Sequence, residues 1–296
     1  MTNRRTHASI GLREFFSEQW QYFTSALATK SDDKKWQKKN KQRLQQTIES
    51  VVDGTDAKVR MISGYKEKLR RCSQSQIQYV DEMIKAFEAP LSLSKTEFNK
   101  SDLLQSMFYR FHELSRILDS DKTLTQWQLQ NRDHHGDIYG LLKARVTQKQ
   151  VLAPTLIGDN VVNNVQQQQL VISGISLVGL VRNEDALAQQ LKAYCHQQII
   201  EQLKLQLAPI LASAKGVACP LSPEDVASPE AYLSHLQQLM SEPETILSLE
   251  SCQYETNRFG LLANEHIEAD RRFRFNRIKL INEQSYLLLP IKFTVL

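Results

Sequence analysis

The sequence predicts a predominantly helical α+β protein, in which an N-terminal helical bundle leads into a small antiparallel or mixed sheet covered by helices and ending in a C-terminal β-hairpin. Three observations carry that prediction. Apolar residues recur at helical spacing through the first 130 positions, the period fades between Ile138 and Val181, and apolar and basic residues alternate from Arg271 to Ile281. With only 10 Gly and 8 Pro in 296 residues, a turn-rich all-β architecture is disfavoured.

The elements follow in order. Leu12, Phe16, Trp20, Phe23 and Leu27 form an aromatic-rich stripe that predicts a helix over 10–28. A second helix starts at the cap Ser31-Asp32-Asp33, carries Trp36, Leu44, Ile48 and Val51 on one face, and stops at Gly54. Thr55 or Asp56 caps a third, whose Val59, Ile62, Tyr65 and Leu69 are continued by Ile77, Val80, Ile84 and Phe87 up to Pro90. Ser101-Asp102 caps a helix with Leu104, Phe108, Phe111, Leu114 and Leu118 inward, and a shorter one covers Leu124 to Leu129. Past Asp133, Pro154, Gly158, Asn160, Asn163 and Asn164 interrupt apolar pieces. Leu170–Ile172 and Ile175–Val181 read as separate buried strands bounded by glycine. Asn183-Glu184-Asp185 opens a long helix through Leu187, Leu191, Tyr194, Ile199, Leu203 and Leu207, kinked at Pro209, and Tyr232, Leu236 and Leu239 mark another.

At the end of the chain, Phe273 and Phe275 alternate with arginines, then Ile278 and Leu280 alternate one register later. That slip predicts a bulge near Asn276. Asn282-Glu283-Gln284 turns the chain back into Tyr286–Leu296, and Pro290 marks that segment as an edge strand or a break. The reading divides the chain into a basic helical region, 1–135, and an α+β region, 136–296. No long flexible linker lies between them, which leaves room for a shared core.

Composition bounds the compartment. Cys72, Cys195, Cys219 and Cys252 are widely spaced and form no C-x-x-C pair, as expected of free thiols in a reducing cytoplasm. The first residues lack the apolar run of a signal peptide. The longest apolar run, Leu170–Val181, is too short to span a bilayer, so no membrane role is expected.

The most polar cluster is Arg132-Asp133-His134-His135-Gly136-Asp137, and His134, His135 and Asp137 are its candidate ligands for a divalent metal. Asp133-His134-His135 resembles the motif of the DHH phosphoesterases, and Gly136–Gly140 resembles the G-D-x-H-G opening of the metallophosphatases. These resemblances imply metal-dependent phosphoester hydrolysis. Both families need further Asp/His motifs downstream, which are missing here, and Tyr139 stands where the histidine belongs. Other enzyme signals fail. Gly174–Gly179 has P-loop glycine spacing but is followed by Leu180 and Val181, and there is no G-x-G-x-x-G, G-x-S-x-G or H-E-x-x-H. Cys195 and His196, adjacent on a helix, diverge by about 100° and form no local nucleophile–base pair. No cofactor is expected on the leading reading.

Charge is unevenly spread. Residues 1–80 hold 16 Lys/Arg against 8 Asp/Glu, a net +8 in a chain of +4. Lys34, Lys35, Lys38, Lys39, Lys41 and Arg43 lie opposite the apolar face of the second helix, with Arg60, Lys68, Arg70 and Arg71 on the third. Such a set suits nucleic acid or an acidic protein partner, and it also suits an ordinary solvated helix face. Arg271, Arg272, Arg274, Arg277 and Lys279 form a second basic stripe. With no complete catalytic motif, the expected function is that of a non-catalytic cytoplasmic interaction protein, an accessory subunit of a protein or nucleic-acid-handling assembly. The alternative is the metal-dependent hydrolase built on His134, His135 and Asp137.

Overall fold

The computed structural model describes residues 30–157, 160–213 and 229–294, with side chains from residue 40 onward apart from 155–159 and 210–228. The helix expected over 10–28 lies outside the described residues. Helix α1 (Lys30–Gly54) is followed by a 3₁₀ turn (Ala57–Met61) and α2 (Tyr65–Ile84). Then come β1 (Leu91–Ser92) and four short helices: α3 (Lys95–Lys100), α4 (Asp102–Met107), α5 (Phe111–Ser120) and α6 (Lys122–Gln130). Strands β2 (Asp137–Ile157) and β3 (Asn160–Val181) precede α7 (Glu184–Ser213), α8 (Pro229–Ser241) and α9 (Pro243–Ile246). The chain closes with β4 (Leu247–Thr256), β5 (Arg271–Leu280) and β6 (Ser285–Thr294).

The expectation of a predominantly helical protein with an N-terminal bundle and a small sheet is overturned. The organising element among the described residues is a six-stranded sheet, ordered β3-β2-β6-β5-β4 and antiparallel except where β1 joins β6. The described helices before residue 131 make no bundle of their own, because they are divided between the two faces of this sheet. On one face α1, α2, α7 and α8 pack Val51, Val52, Leu69, Val80, Ile199 and Leu203 onto Leu141, Ile278 and Leu288. On the other, α3–α6 pack Phe98, Leu104, Phe108 and Leu114 onto Leu142, Phe273, Phe275 and Leu287. A fully buried side chain of this size contributes roughly 1.5–3 kcal/mol, so neither layer is dispensable.

The chain changes faces at β1. Phe87 packs with the first core and Leu91 and Leu93 with the second, so the link passes through the plane of the sheet. It can do so because β5 and β6 pair only from Arg277/Leu287 to Lys279/Ser285 and then part, and β1 takes the vacated place beside Ile291 and Lys292. Pro290 therefore marks neither an edge nor a break. β6 is central, and the Leu93 N–H donates to the Lys292 carbonyl at 2.8 Å. By strand alternation Pro290 faces that same side, so its missing N–H falls in the split, where no ladder bond is lost.

The bulge expected near Asn276 is absent. β5 pairs with β4 without a slip from Leu280/Leu247 to Arg271/Thr256. Phe273 and Phe275 serve the second core while Ile278 and Leu280 serve the first, so a regular strand shifts its apolar phase by feeding two cores in turn. The C-terminal hairpin is present, turned at Ile281–Gln284 with Glu283 at φ 63°. The glycines expected to bound separate strands instead lie inside β3. Its pairing with β2 slips by one residue at three places, and a residue of positive φ stands in each: Gly179, Gly174 and Asn164. A left-handed residue accommodates the extra residue of a bulge and sharpens the twist, so one 22-residue strand continues through what resembles punctuation.

Candidate interaction surface

β2 pairs with β6 only as far as Ala144. From Arg145 outward, β2 and β3 pair with each other as a ribbon running to Ile157/Asn160. Thirteen residues at about 3.3 Å each make an arm roughly 40 Å long. A lone two-stranded ribbon is marginal in water, and here one side of its base is held. The β4–β5 loop lies along β3, with Leu170 N donating to Gly260 O at 2.8 Å and Leu262 N to Gln168 O at 2.9 Å. The glutamine run is part of this seam. Asn264 Nδ2 donates to Gln167 Oε1 at 2.8 Å, and Gln169 Nε2 donates to Phe259 O at 2.9 Å. Ala153, Leu261 and Ile267 close a small core beneath them, with Val151 against it.

Alternation sends Leu152 to the opposite face, where Val161, paired across the ribbon with Leu156, points the same way. Leu152 is 68% exposed and Val161 66%, and Val162 beside it is also exposed. The arm carries Arg145 and Lys149 near its base, and beyond them Asp159 is the single ionisable residue between Gln150 and Val181. Depletion of charge around exposed apolar side chains marks the centre of protein interfaces, whereas nucleic-acid surfaces need Lys and Arg. Sequence reading by periodicity missed Leu152, Val161 and Val162. The signal available was the 32-residue stretch with one charge.

Three arginines of the basic set, Arg43, Arg60 and Arg70, are paired with carboxylates in the fold. Helix α1 carries Lys34, Lys35, Lys38 and Lys39, whose side chains lie outside the described residues. Arg43 forms a bidentate pair with Asp81 at 2.7 and 2.9 Å, and Lys192 joins the same carboxylate at 2.9 Å. Arg60 binds Glu49 and Asp53 at 2.8 and 2.6 Å, and Arg70 binds Glu67 at 2.8 Å. Hydrogen bonds from Lys66, Arg60 and Tyr65 hold the Glu49 carboxyl down at about 2. Lys41 and Arg71 are exposed, with no ion pair to another described residue. In the second stripe, Arg272 pairs with Glu255, Arg274 with Glu88, and Arg277 and Lys279 with Glu250, while Arg271 donates to the carbonyls of Gln105 and Arg258.

The α6–β2 junction does not gather His134, His135 and Asp137 into one ligand set. His134 Nε2 lies 3.0 Å from the Asp137 carbonyl, and its ring stands edge-on to Trp127 with centroids 5.3 Å apart. The Asp137 carboxylate accepts from Thr294 Oγ1 at 2.6 Å, Asp133 pairs with Arg182 at 3.0 Å, and His135 is exposed. Among the described residues, no three His, Cys, Asp or Glu side chains are placed to share a metal ion. The two glycines of P-loop spacing, Gly174 and Gly179, are occupied as bulges.

Two other polar features stand out. The split between β5 and β6 leaves a cleft of about 280 Å³ lined by Glu88, Asp102, Arg272, Arg274, Asn276 and Pro290. Its charges are already matched, Arg274 by Glu88 and the Arg272 N–H by Asp102 at 2.9 Å. Between α2 and α7, Gln76 Nε2 lies 3.4 Å from His196 Nδ1, and burial, with Arg43 nearby, pushes the imidazole down to about 4. Cys72 and Cys195 are buried free thiols, the latter pushed up to about 12 by burial, and Cys252 is a half-buried one. No helix among the described residues is long and apolar enough to cross a membrane. No protein-family model matches the sequence, and no curated protein or solved structure is detectably similar to it.

Proposed function

We propose that this protein is a non-catalytic interaction protein, an accessory subunit that grips a protein partner with the β2–β3 arm. The observation that carries the reading is the arm itself, projecting beyond the sheet, bearing one ionisable residue between Gln150 and Val181 and exposing Leu152 and Val161 on the face that the described residues leave uncovered. The pairing of Arg43, Arg60 and Arg70 with carboxylates favours a protein over a nucleic acid as partner.

The test is comparative capture from the native cell by the wild type and by the double variant Leu152→Glu, Val161→Lys. Both positions are exposed, so the variant keeps the circular dichroism and unfolding midpoint of the parent. The reading expects a partner recovered in stoichiometric amount by the wild type and lost by the variant. A partner held equally by both, or nucleic acid bound at low salt and released in proportion to salt, refutes it.

A further inference from the structure

Among the described residues the sheet ends in β3 on one side and β4 on the other, and the two edges are built differently. β3, at one end, carries three bulges, and the loop 257–262 covers part of its rim. Bulges and covering loops are devices that keep sheet edges from pairing with other chains. β4, at the other end, has no bulge, and among the described residues the same loop meets its rim only at Glu255 and Thr256. Its register with β5 is unbroken over ten residues, and LSLESCQYET contains no Lys, Arg, Pro or Gly.

Alternation fixes which main-chain groups of β4 point outward. The Ile281 N–H donates to Ile246 O and the Asp270 N–H to Thr256 O, so even-numbered residues face β5. Odd-numbered residues face out, and the two outermost are already used. Tyr79 Oη donates to Leu247 O at 2.7 Å, and Ala263 N donates to Glu255 O at 2.9 Å. Leu249, Ser251 and Gln253 remain, their N–H and C=O groups unpartnered among the described residues. The free set is symmetric about Ser251, the condition an antiparallel pairing of identical strands requires.

We propose that β4 is a homodimerisation seam, in which two copies of this chain pair Leu249–Gln253 antiparallel about a two-fold axis through Ser251. Ser251 then faces Ser251 of the partner subunit, and Leu249 faces Gln253 of the partner subunit. The three facing pairs exchange about six main-chain hydrogen bonds. No unmatched charge meets its like across the seam, because Glu250 is held by Arg277 and Lys279 and Glu255 by Arg272. Neutralised flanks and free groups that match their own mirror order favour a second copy over a foreign strand.

Sedimentation velocity of the full chain tests the seam, with Ser251→Pro and Ser251→Lys beside the wild type. The Ser251 N–H points away from β5, so proline there spares the β4–β5 ladder, as edge strands allow. Lysine places like charges face to face. The expected result is a wild-type dimer whose dissociation constant rises at least about tenfold in both variants while circular dichroism is unchanged. A wild type that is monomeric throughout the concentration series, or a dimer indifferent to both substitutions, overturns the proposal, as does a monomer whose β4 edge binds a different protein instead. Should either variant fail to fold, Ser251→Cys decides. Facing Cα atoms about 5.5 Å apart lie within disulfide range, so oxidation links the subunits covalently, and failure to link them overturns the seam.

Discussion

Acidification offers a quantitative test of the packing between α2 and α7. His196 is buried beside Gln76, with Arg43, Lys192 and Asp81 as the charged groups around it. In the unfolded chain its imidazole takes a proton near its ordinary value of 6.5, and in the folded protein not until about 4. As pH falls through that window the unfolded chain binds the extra proton, so stability is complete above about 6.5, declines below it, and levels off beneath the folded value. The whole shift corresponds to about 3 kcal/mol, and the part expressed between about pH 7.5 and pH 5 is about 2 kcal/mol. Urea unfolding followed by circular dichroism across that range measures it. Staying above pH 5 keeps the paired carboxylates Glu49, Asp81 and Glu250 out of the measurement, because their stabilisation is lost only at lower pH. His196→Gln, which keeps an amide within reach of Gln76, should flatten the dependence by about 2 kcal/mol. An unchanged slope in the variant would show that the imidazole is not held neutral by this packing.

Two further perturbations discriminate within β3 and the α6–β2 junction. Gly174→Ala meets open space, so only the left-handed backbone at φ 63° is penalised, at about 1 kcal/mol. Gly179→Ala adds a collision with the Gln190 side chain, so thermal unfolding should rank Gly179→Ala below Gly174→Ala, both below the parent. His134→Ala removes the bond to the Asp137 carbonyl and the edge contact with Trp127, a loss of about 1 kcal/mol by chemical denaturation. His135→Ala, at an exposed position, stays within about 0.5 kcal/mol of the parent. Equal losses from the two histidines would contradict the geometry of the junction.

Helices were legible where a single face repeats for several turns. α1, α7 and α8 follow the stripes of Ile48/Val51, Leu187–Leu207 and Tyr232–Leu239. Local caps were legible too, Ser101 accepting from Leu104 N and Asn183 from Ala186 N. The third helix was overextended, because Val59 and Ile62 keep the period although Gly64, at φ 71°, separates the 3₁₀ turn from α2. The sheet was hard to see for two physical reasons. Glycine and asparagine resemble strand ends whether they terminate pairing or accommodate a bulge, and β5 serves two cores, which breaks its period without breaking its backbone. The ion pairs made by Arg43, Arg60 and Arg70 were not legible, because charge is read along the chain but paired in space. Arg43 and Asp81 are 38 residues apart. The arm was hidden by the opposite habit, since an absence of charged residues does not register as a motif.

The order in which the sheet is completed has a consequence for biosynthesis. β6 lies between β2 and β5 and beside β1, yet it follows all of them in the chain. While the nascent polypeptide emerges, the β2–β3 and β4–β5 pairs have no strand to join them, and both apolar layers wait with their shared floor missing. The sheet is therefore completed only once β6 has been made. The interval before Ser285–Thr294 clears the ribosome is when chaperone protection matters most.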